Sequence, residues 1–88
     1  MAIDLGQYGI RVNAICPGYT QTPAVDGWFE AQKDPVALRK EIDARHPVER
    51  MGQPSNVGAL AAYLADDERS GFMTGNVIPL DGGITLGC

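Results

Sequence analysis

The chain has 88 residues, of which 44% are hydrophobic and 20% charged, a composition typical of one small soluble domain. Its formal net charge is −4 and its seven Lys and Arg residues are scattered, which argues against a nucleic-acid or anionic-membrane surface. No apolar run approaches the roughly 20 residues of a membrane span. The opening residues, MAIDLGQYG, lack the basic and apolar zones of a signal peptide, so we expect a cytoplasmic protein.

The first half of the chain predicts a helix end, a strand and then a helical excursion, by which we mean the helical segment between the first strand and the helix that begins at Pro54. Residues 2–7 are typical of the last turns of a helix that ends at Gly6 or Gly9. The segment 10–16, IRVNAIC, is rich in β-branched residues and mostly apolar, which predicts a strand covered on both faces, as in parallel sheets. A loop then runs from Pro17 to about residue 26.

Two weaker helical patterns follow that loop. One carries Trp28 and Phe29, and the other covers residues 35–45. A clearer helical pattern, with apolar residues at Val57, Leu60, Ala61 and Leu64, begins at Pro54, which suits the first position of a helix. Whether Gln53 or Ser55 caps that helix stays open.

The C-terminal part predicts a turn over residues 66–75 and a second strand over 76–80 that ends at Asp81. The element order is that of one βαβ unit, in which a crossover lays the two strands parallel. Pro79 cannot donate to a ladder and therefore suits an edge strand. Because two strands alone rarely form a stable sheet, the pattern indicates the end of a larger sheet.

Cysteine and histidine chemistry offers few candidate sites. Cys16 and Cys88 lie far apart without CxxC spacing, so we predict no disulfide framework. Cys16, at the end of the first predicted strand, is expected to be a small buried hydrophobe rather than a nucleophile. His46 is the only histidine, so we predict no metal site; a loop position is favoured over an acid/base role.

Three motifs occur in a fixed order: RVNA…PG…T at 11–22, P-x-x-R-x-G-x-P at 47–54, and TG…DGG at 74–83. Nearly the whole chain thereby resembles the C-terminal part of the classical short-chain dehydrogenase/reductase family. The resemblance implies an α/β fold, with these strands as the last two of a Rossmann-type doubly wound parallel sheet. Residues 1–88 would form a partial NAD(P)-binding domain without its nucleotide-binding half.

The family resemblance also implies a function, which is hydride transfer between NAD or NADP and a small-molecule carbonyl or alcohol. Pro17 and Gly18 would lie by the nicotinamide, the Thr20 backbone would meet its carboxamide, and Thr22 would bond the carboxamide or a phosphate. Ligands of open α/β sheets do bind outside the carboxyl ends of strands. The alternative is a plain surface turn in which the threonines serve as caps.

The segment 25–45 corresponds to the family's substrate lid, to which we assign Tyr19, Trp28 and Phe29. Trp28 and Phe29 could roof an apolar substrate or form the small core of the excursion, since both uses need the same aromatic area. Arg50 is expected to tie loops together through hydrogen bonds. Helix 55–66 and strand 76–80 are expected to meet a second copy in a homo-oligomer.

Several family motifs do not occur in this sequence: the TGxxxGxG turn, the NNAG segment and the catalytic YxxxK pair. No catalytic residue is therefore assigned, and the isolated chain is expected to be inactive. Met1 matches a methionine inside a family helix, which predicts that the chain begins mid-helix. The alternative is a catalytically inactive, self-associating α/β module or truncated gene product. The substrate and the choice between NAD and NADP stay open.

Overall fold

The computed structural model describes residues 1–87 and shows an α/β chain. Its elements, in chain order, are α1 (Ala2–Gly6), β1 (Ala14–Pro17), α2 (Pro23–Glu30), α3 (Pro35–Arg45), α4 (Pro54–Ala65), α5 (Asp67–Ser70), β2 (Val77–Leu80) and a 3-10 helix (Ile84–Gly87). The predicted fold class is confirmed. Cys88 lies outside the described residues, so the expectation about its pairing stays a prediction.

The two strands form a parallel pair, in which Ala14 lies opposite Val77 and Pro17 lies opposite Leu80. Helices α2 to α5 all lie between them in sequence, and α4 packs against β1. The predicted parallel βαβ arrangement is therefore present. Both strands end at the same edge of the sheet, which is where the loop after β1 begins.

The first strand is shorter than predicted, since it starts at Ala14 rather than at residue 10. The segment that lies opposite, before β2, turns at Gly75, whose φ is +73°. Residues 10–13 therefore have no regular partner strand within the described part of the chain. Val12 instead receives a backbone hydrogen bond from Gly75 (2.7 Å) and donates one to the Thr74 hydroxyl (3.0 Å). Side chains and a turn replace the first rungs of the predicted ladder.

Two helices also differ from the predicted pattern. Helix α2 begins at Pro23, before the expected end of the loop at residue 26, because the Thr22 hydroxyl accepts a hydrogen bond from the Val25 N–H (3.3 Å) and caps it. Residues Asp67–Ser70 form the short helix α5 where a turn was expected. Helix α4 begins at Pro54 as predicted, with Gln53 as its N-cap.

The apolar core lies in the helical excursion and not under the sheet. Phe29, Ile42 and Met51 are buried together, and Val25 and Leu38 pack against them. Phe29 thus serves the small core of the excursion, which was one of the two uses considered for it.

The sheet is less covered than predicted. Cys16 is exposed and Val77 has a relative accessibility of 68%, so the expectations of a strand covered on both faces and of a buried Cys16 are wrong. The physical reason is that no second layer within the described residues packs on that face.

Arg11 connects the chain before β1 to the region between α4 and β2. Its guanidinium donates to the backbone carbonyls of Leu64 (2.8 Å), Ser70 (3.0 Å) and Met73 (3.1 Å). It also pairs with the Asp67 carboxylate at 2.7 Å, while its own side chain is only 17% exposed. One side chain therefore satisfies carbonyls at the end of α4, at the end of α5 and before β2.

We predict that Arg11→Ala lowers the free energy of unfolding by about 3 kcal/mol, because it removes three hydrogen bonds from a charged donor to backbone carbonyls together with the ion pair to Asp67. Urea denaturation of the purified protein measures this change. Arg69→Ala is the matched control, since Arg69 is mostly exposed and its ion pair with Asp66 is worth little. Equal losses for the two variants would contradict the role given to Arg11.

The turn after β2 packs tightly against the segment that follows α3. Gly82 and Gly83 have φ values of +62° and +88°. A Cβ at Gly83 would lie 2.8 Å from Pro47 Cγ, and one at Gly82 would lie 2.8 Å from Val48 Cγ2. Only glycine therefore meets both the conformational and the spatial demand at these positions.

We predict that Gly83→Ala destabilises the fold by about 2 kcal/mol or more, since it adds a clash with Pro47 to the strain of a positive φ. Gly9→Ala is the matched control, because Gly9 has a φ of +74° but nothing within 4 Å of its added Cβ. The control should lose about 1 kcal/mol in the same denaturation experiment. A Gly9→Ala loss as large as that of Gly83→Ala would show that the packing contributes nothing.

Candidate functional site

The candidate site is the loop over residues 17–22, at the carboxyl ends of both strands. Pro17 is the last residue of β1, and the Gly18 N–H donates to the Leu80 carbonyl (3.1 Å). A Cβ at Gly18 would lie 2.8 Å from Asp81 Cβ. Glycine is therefore required for the loop to pass this close to the end of β2.

Asp81 is itself held in place by the turn that it begins. The Thr85 hydroxyl (2.5 Å) and the Gly83 N–H (2.9 Å) donate to its carboxylate, and both hydrogen bonds lower the pKa of Asp81. Because a lowered carboxyl pKa favours the folded state only while the group is charged, this contribution is lost as the pH falls through that lowered pKa. At neutral pH the carboxylate is charged and accepts both hydrogen bonds.

Thr20 presents its backbone polar groups to one side of the loop. It forms a parallel bridge with Gly52, in which the Gly52 N–H donates to the Tyr19 carbonyl and the Gln21 N–H donates to the Gly52 carbonyl, both at 2.8 Å. In such a bridge the N–H and C=O of Thr20 itself point away from Gly52. Within residues 1–87 neither group has a hydrogen-bond partner. Thr20 therefore offers one donor and one acceptor to a ligand.

Thr22 has a structural task, because its hydroxyl oxygen caps α2 by accepting from the Val25 N–H. The capping role that was the alternative for the threonines is thus real for Thr22. A hydroxyl can also donate its own hydrogen, so capping leaves this donor available for a ligand. The Thr20 hydroxyl lies 3.3 Å from the Gly18 carbonyl and braces the loop.

The three residues assigned to the lid occupy two environments. Trp28 is 50% exposed and packs edge-on against the buried ring of Phe29, with centroids 5.1 Å apart. Tyr19 is exposed and lies edge-on to His46 at 5.8 Å. An apolar hollow of about 320 Å³ is lined by Tyr19, Ala24, Val25, Trp28 and Phe29. The loop and α2 thus share one apolar recess.

His46 packs against Tyr19, which lines this recess, and Arg50 lies in the loop between α3 and α4. His46 follows α3 and is 2% exposed; its Nδ1 lies 2.8 Å from the Ile42 carbonyl, which requires the proton on Nδ1. Its Nε2 is buried and has no partner among the described residues. Arg50 donates to the Met51 carbonyl (3.0 Å) and approaches the Asn56 amide oxygen (3.4 Å), so it ties its loop to α4.

Two residues that the sequence reasoning missed are Gln21 and Arg39. The Arg39 guanidinium donates to the Gln21 amide oxygen at 2.6 Å, across 18 positions of sequence. The only sequence signal for Gln21 is its position between Thr20 and Thr22, and no pattern singles out Arg39 from its neighbours on α3.

The described residues contain no group of three or more His, Cys, Asp or Glu side chains that could hold a metal ion. No helix in this part of the chain combines the length and the apolar character needed to cross a membrane.

Comparison with known proteins gives consistent matches along the chain. A family model described as enoyl-(acyl carrier protein) reductase matches residues 1–85. Oxidoreductase UcpA of Escherichia coli K12 is 43% identical over 88 residues, which cover 98% of this chain and 33% of that protein. L-fucose dehydrogenase of Bos taurus is 40% identical over 87 residues, which cover 99% of this chain and 32% of that protein.

A solved structure of a short chain dehydrogenase family protein from Francisella tularensis superposes with a TM-score of 0.85 and 34% identity. That match covers 97% of this chain and 37% of the other. The chain thus spans about a third of the length of the relatives that it matches. Because the family model covers nearly all of the sequence and the fold agrees, the chain belongs to the short-chain dehydrogenase/reductase family.

Proposed function

We propose that the protein is an NAD(P)-dependent oxidoreductase acting on a carbonyl or alcohol, and that these residues form its nicotinamide-side loop and substrate lid. The observation that carries the proposal is Thr20, whose backbone N–H and C=O have no hydrogen-bond partner among the described residues and lie at the carboxyl ends of two parallel strands. A primary amide needs one acceptor and one donor opposite it, and Thr20 supplies both. The nicotinamide carboxamide is such a group.

The geometry of the loop supports this assignment. Gly18 has no side chain and Pro17 fixes its own φ, so the backbone can approach a flat ring closely. Thr20 and Thr22 provide neutral hydrogen-bonding groups, which suit an uncharged amide better than a charged side chain would. The cofactor, when bound, donates or accepts the hydride; the loop binds and orients its amide end.

The lid residues would shield the reacting atoms from water. Tyr19 and Trp28 present aromatic surface to the hollow, while Phe29 supports Trp28 from the core. An apolar wall beside the nicotinamide excludes solvent and orients a substrate. The proton donor and its lysine partner have no counterpart in this sequence, so we assign no catalytic residue to it.

The substrate panel follows from the relatives and from the lid. The bovine relative is named L-fucose dehydrogenase, so sugars and polyols come first, followed by a steroid-like alcohol and a β-ketoacyl thioester. Assembly of two copies through residues 55–66 and 76–80 and a cytoplasmic location stay predictions from the sequence. The choice between NAD and NADP is part of the test.

We predict that the product of the complete reading frame that contains this sequence binds NADH or NADPH and turns over a member of the panel. The 88-residue chain alone should show no turnover. Turnover is measured as a change in the absorbance of the reduced nicotinamide: a gain when NAD or NADP oxidises an alcohol of the panel, and a loss when NADH or NADPH reduces a carbonyl. Fluorescence titration measures cofactor binding.

The same titration tests the role of Thr20. A cofactor analogue in which an acetyl group replaces the carboxamide keeps the carbonyl oxygen but lacks the N–H donors. We expect it to bind about tenfold more weakly, because the Thr20 carbonyl then loses its partner. Equal affinity for both cofactors would contradict the Thr20 assignment, and no binding of either would favour the alternative of an inactive module.

We predict that substitutions of two neighbouring aromatic residues affect different quantities, substrate binding for one and stability for the other. Trp28→Ala should raise the KM for the substrate with little change in stability, because Trp28 is half-exposed and lines the hollow. Phe29→Ala should cost about 3–4 kcal/mol of stability, because Phe29 is buried in the core. Steady-state kinetics and urea denaturation separate the two effects. An unchanged KM for Trp28→Ala would contradict the proposal that Trp28 contacts the substrate.

A further inference from the structure

A set of hydrogen bonds joins the cofactor-side loop to the lid and to α4, and Gln21 is at its centre. The Gln21 amide oxygen accepts from Arg39 Nη2 (2.6 Å) and from Gln53 Nε2 (3.0 Å). The Gln21 amide nitrogen donates to the Asp26 carboxylate (3.2 Å). One loop side chain thus contacts α2, α3 and the N-cap of α4. We call these four residues the Gln21 network.

Arg39 makes its shortest polar contact with Gln21. Its guanidinium lies 3.8 Å from the Asp26 carboxylate and 3.9 Å from that of Asp43, which are long separations for ion pairs. It also lies 5.9 Å above the centroid of the Phe29 ring. The carboxylates and the ring orient the guanidinium, and the group that it holds is the amide oxygen of Gln21.

The position of Gln21 gives this contact a functional consequence. Gln21 lies between Thr20 and Thr22, and its backbone N–H is half of the bridge that points the Thr20 groups away from Gly52. A rotation of the Gln21 backbone would turn the Thr20 carbonyl, because the two residues share a planar peptide unit. Restraint of Gln21 therefore restrains the orientation of Thr20.

We propose that Arg39, a lid residue, is a positioning residue for the nicotinamide end of the cofactor, acting through Gln21 on the Thr20 backbone. The proposal rests on the proposed function, since it concerns the same loop. Arg39 itself does not line the recess formed by Tyr19 and Trp28. Its effect therefore passes through the Gln21 network and not through contact with the substrate.

A purely structural role would have a different signature. If Arg39 only held α3 to α2, its loss would lower stability and weaken every ligand alike. If it positions Thr20, its loss weakens only ligands that carry a nicotinamide. The informative quantity is the ratio of affinities for two ligands that differ in that group.

The experiment uses the product of the complete reading frame and compares NADH, or NADPH where that is the cofactor, with ADP-ribose or its 2′-phosphate, which lack the nicotinamide. Arg39→Met should raise the dissociation constant for the dinucleotide about tenfold and leave that for the shorter ligand unchanged. Arg39→Lys should recover part of the loss. Arg45→Met is the matched control, because Arg45 lies on the same helix, is 53% exposed and, in the part of the chain that the structure describes, pairs only with Glu41.

A thermal melt of each variant checks that it is folded. If Arg39→Met does not fold, Gln21→Met removes the same contact from the loop side, together with the contacts to Gln53 and Asp26, and should change the affinity ratio at least as much. An unchanged ratio, or a parallel loss for both ligands, overturns the positioning role while the proposed function stands. If the unaltered protein binds neither ligand, the proposed function fails and this inference fails with it.

Discussion

The close packing of Gly18 against Asp81 determines where the two strands end, and the candidate site depends on that constraint. The Gly18 N–H closes the strand pair on the Leu80 carbonyl, and the absent Cβ lets the chain turn beside Asp81. From there the loop reaches Gly52, and this bridge sets the direction of the Thr20 backbone groups. The turn at Gly82 and Gly83 then supports the same region from behind, through Val48 and Pro47. A side chain at Gly18, Gly82 or Gly83 would force the packed neighbours apart.

Stability and site geometry come from different interactions in this chain. The buried apolar residues, Phe29, Ile42 and Met51, form the core of the lid segment and of the loop that follows it. The strands gain little apolar cover within the described residues and depend on backbone pairing and on the polar contacts of Arg11 and Asn13. The lid can therefore keep its shape through its own core, while the loop is aligned by the ends of the sheet. The Gln21 network is the polar connection between these two parts.

Sequence reasoning worked best where a local rule decides the outcome. Pro54 at the first position of α4 and the loop after β1 follow from patterns along a few residues, and the parallel pairing follows from the order of the elements. The start of β1 was wrong because the turn at Gly75, about 60 residues away, removes the ladder partners of Val12. The exposure of Cys16 depends on what packs against the sheet, which its own strand does not specify.

The contact between Gln21 and Arg39 was missed for a related reason. It joins a loop to a helix 18 positions later, and each residue alone is an ordinary surface type. Long side chains of this kind gain a defined role only when tertiary packing brings their ends together. By contrast, the cap at Thr22 could be considered from the sequence as an alternative, because a threonine followed by proline is a local helix-start signal.

Under the proposed function, the loop and the lid would recognise their ligands by different means, for a physical reason. Thr20 offers backbone groups, whose chemistry does not change when the side chain is substituted, so under the proposed function it suits the nicotinamide amide, a group of the cofactor that stays the same whichever substrate is bound. Tyr19 and Trp28 offer side chains, whose shape changes with each substitution, so they suit the part of the ligand that differs between enzymes. A change of substrate could then arise by altering α2 while the direction of Thr20 is kept. Arg39 is an exception to this separation. Although it lies in the lid, its substitution would also alter the nicotinamide-side loop, through its hydrogen bond to Gln21.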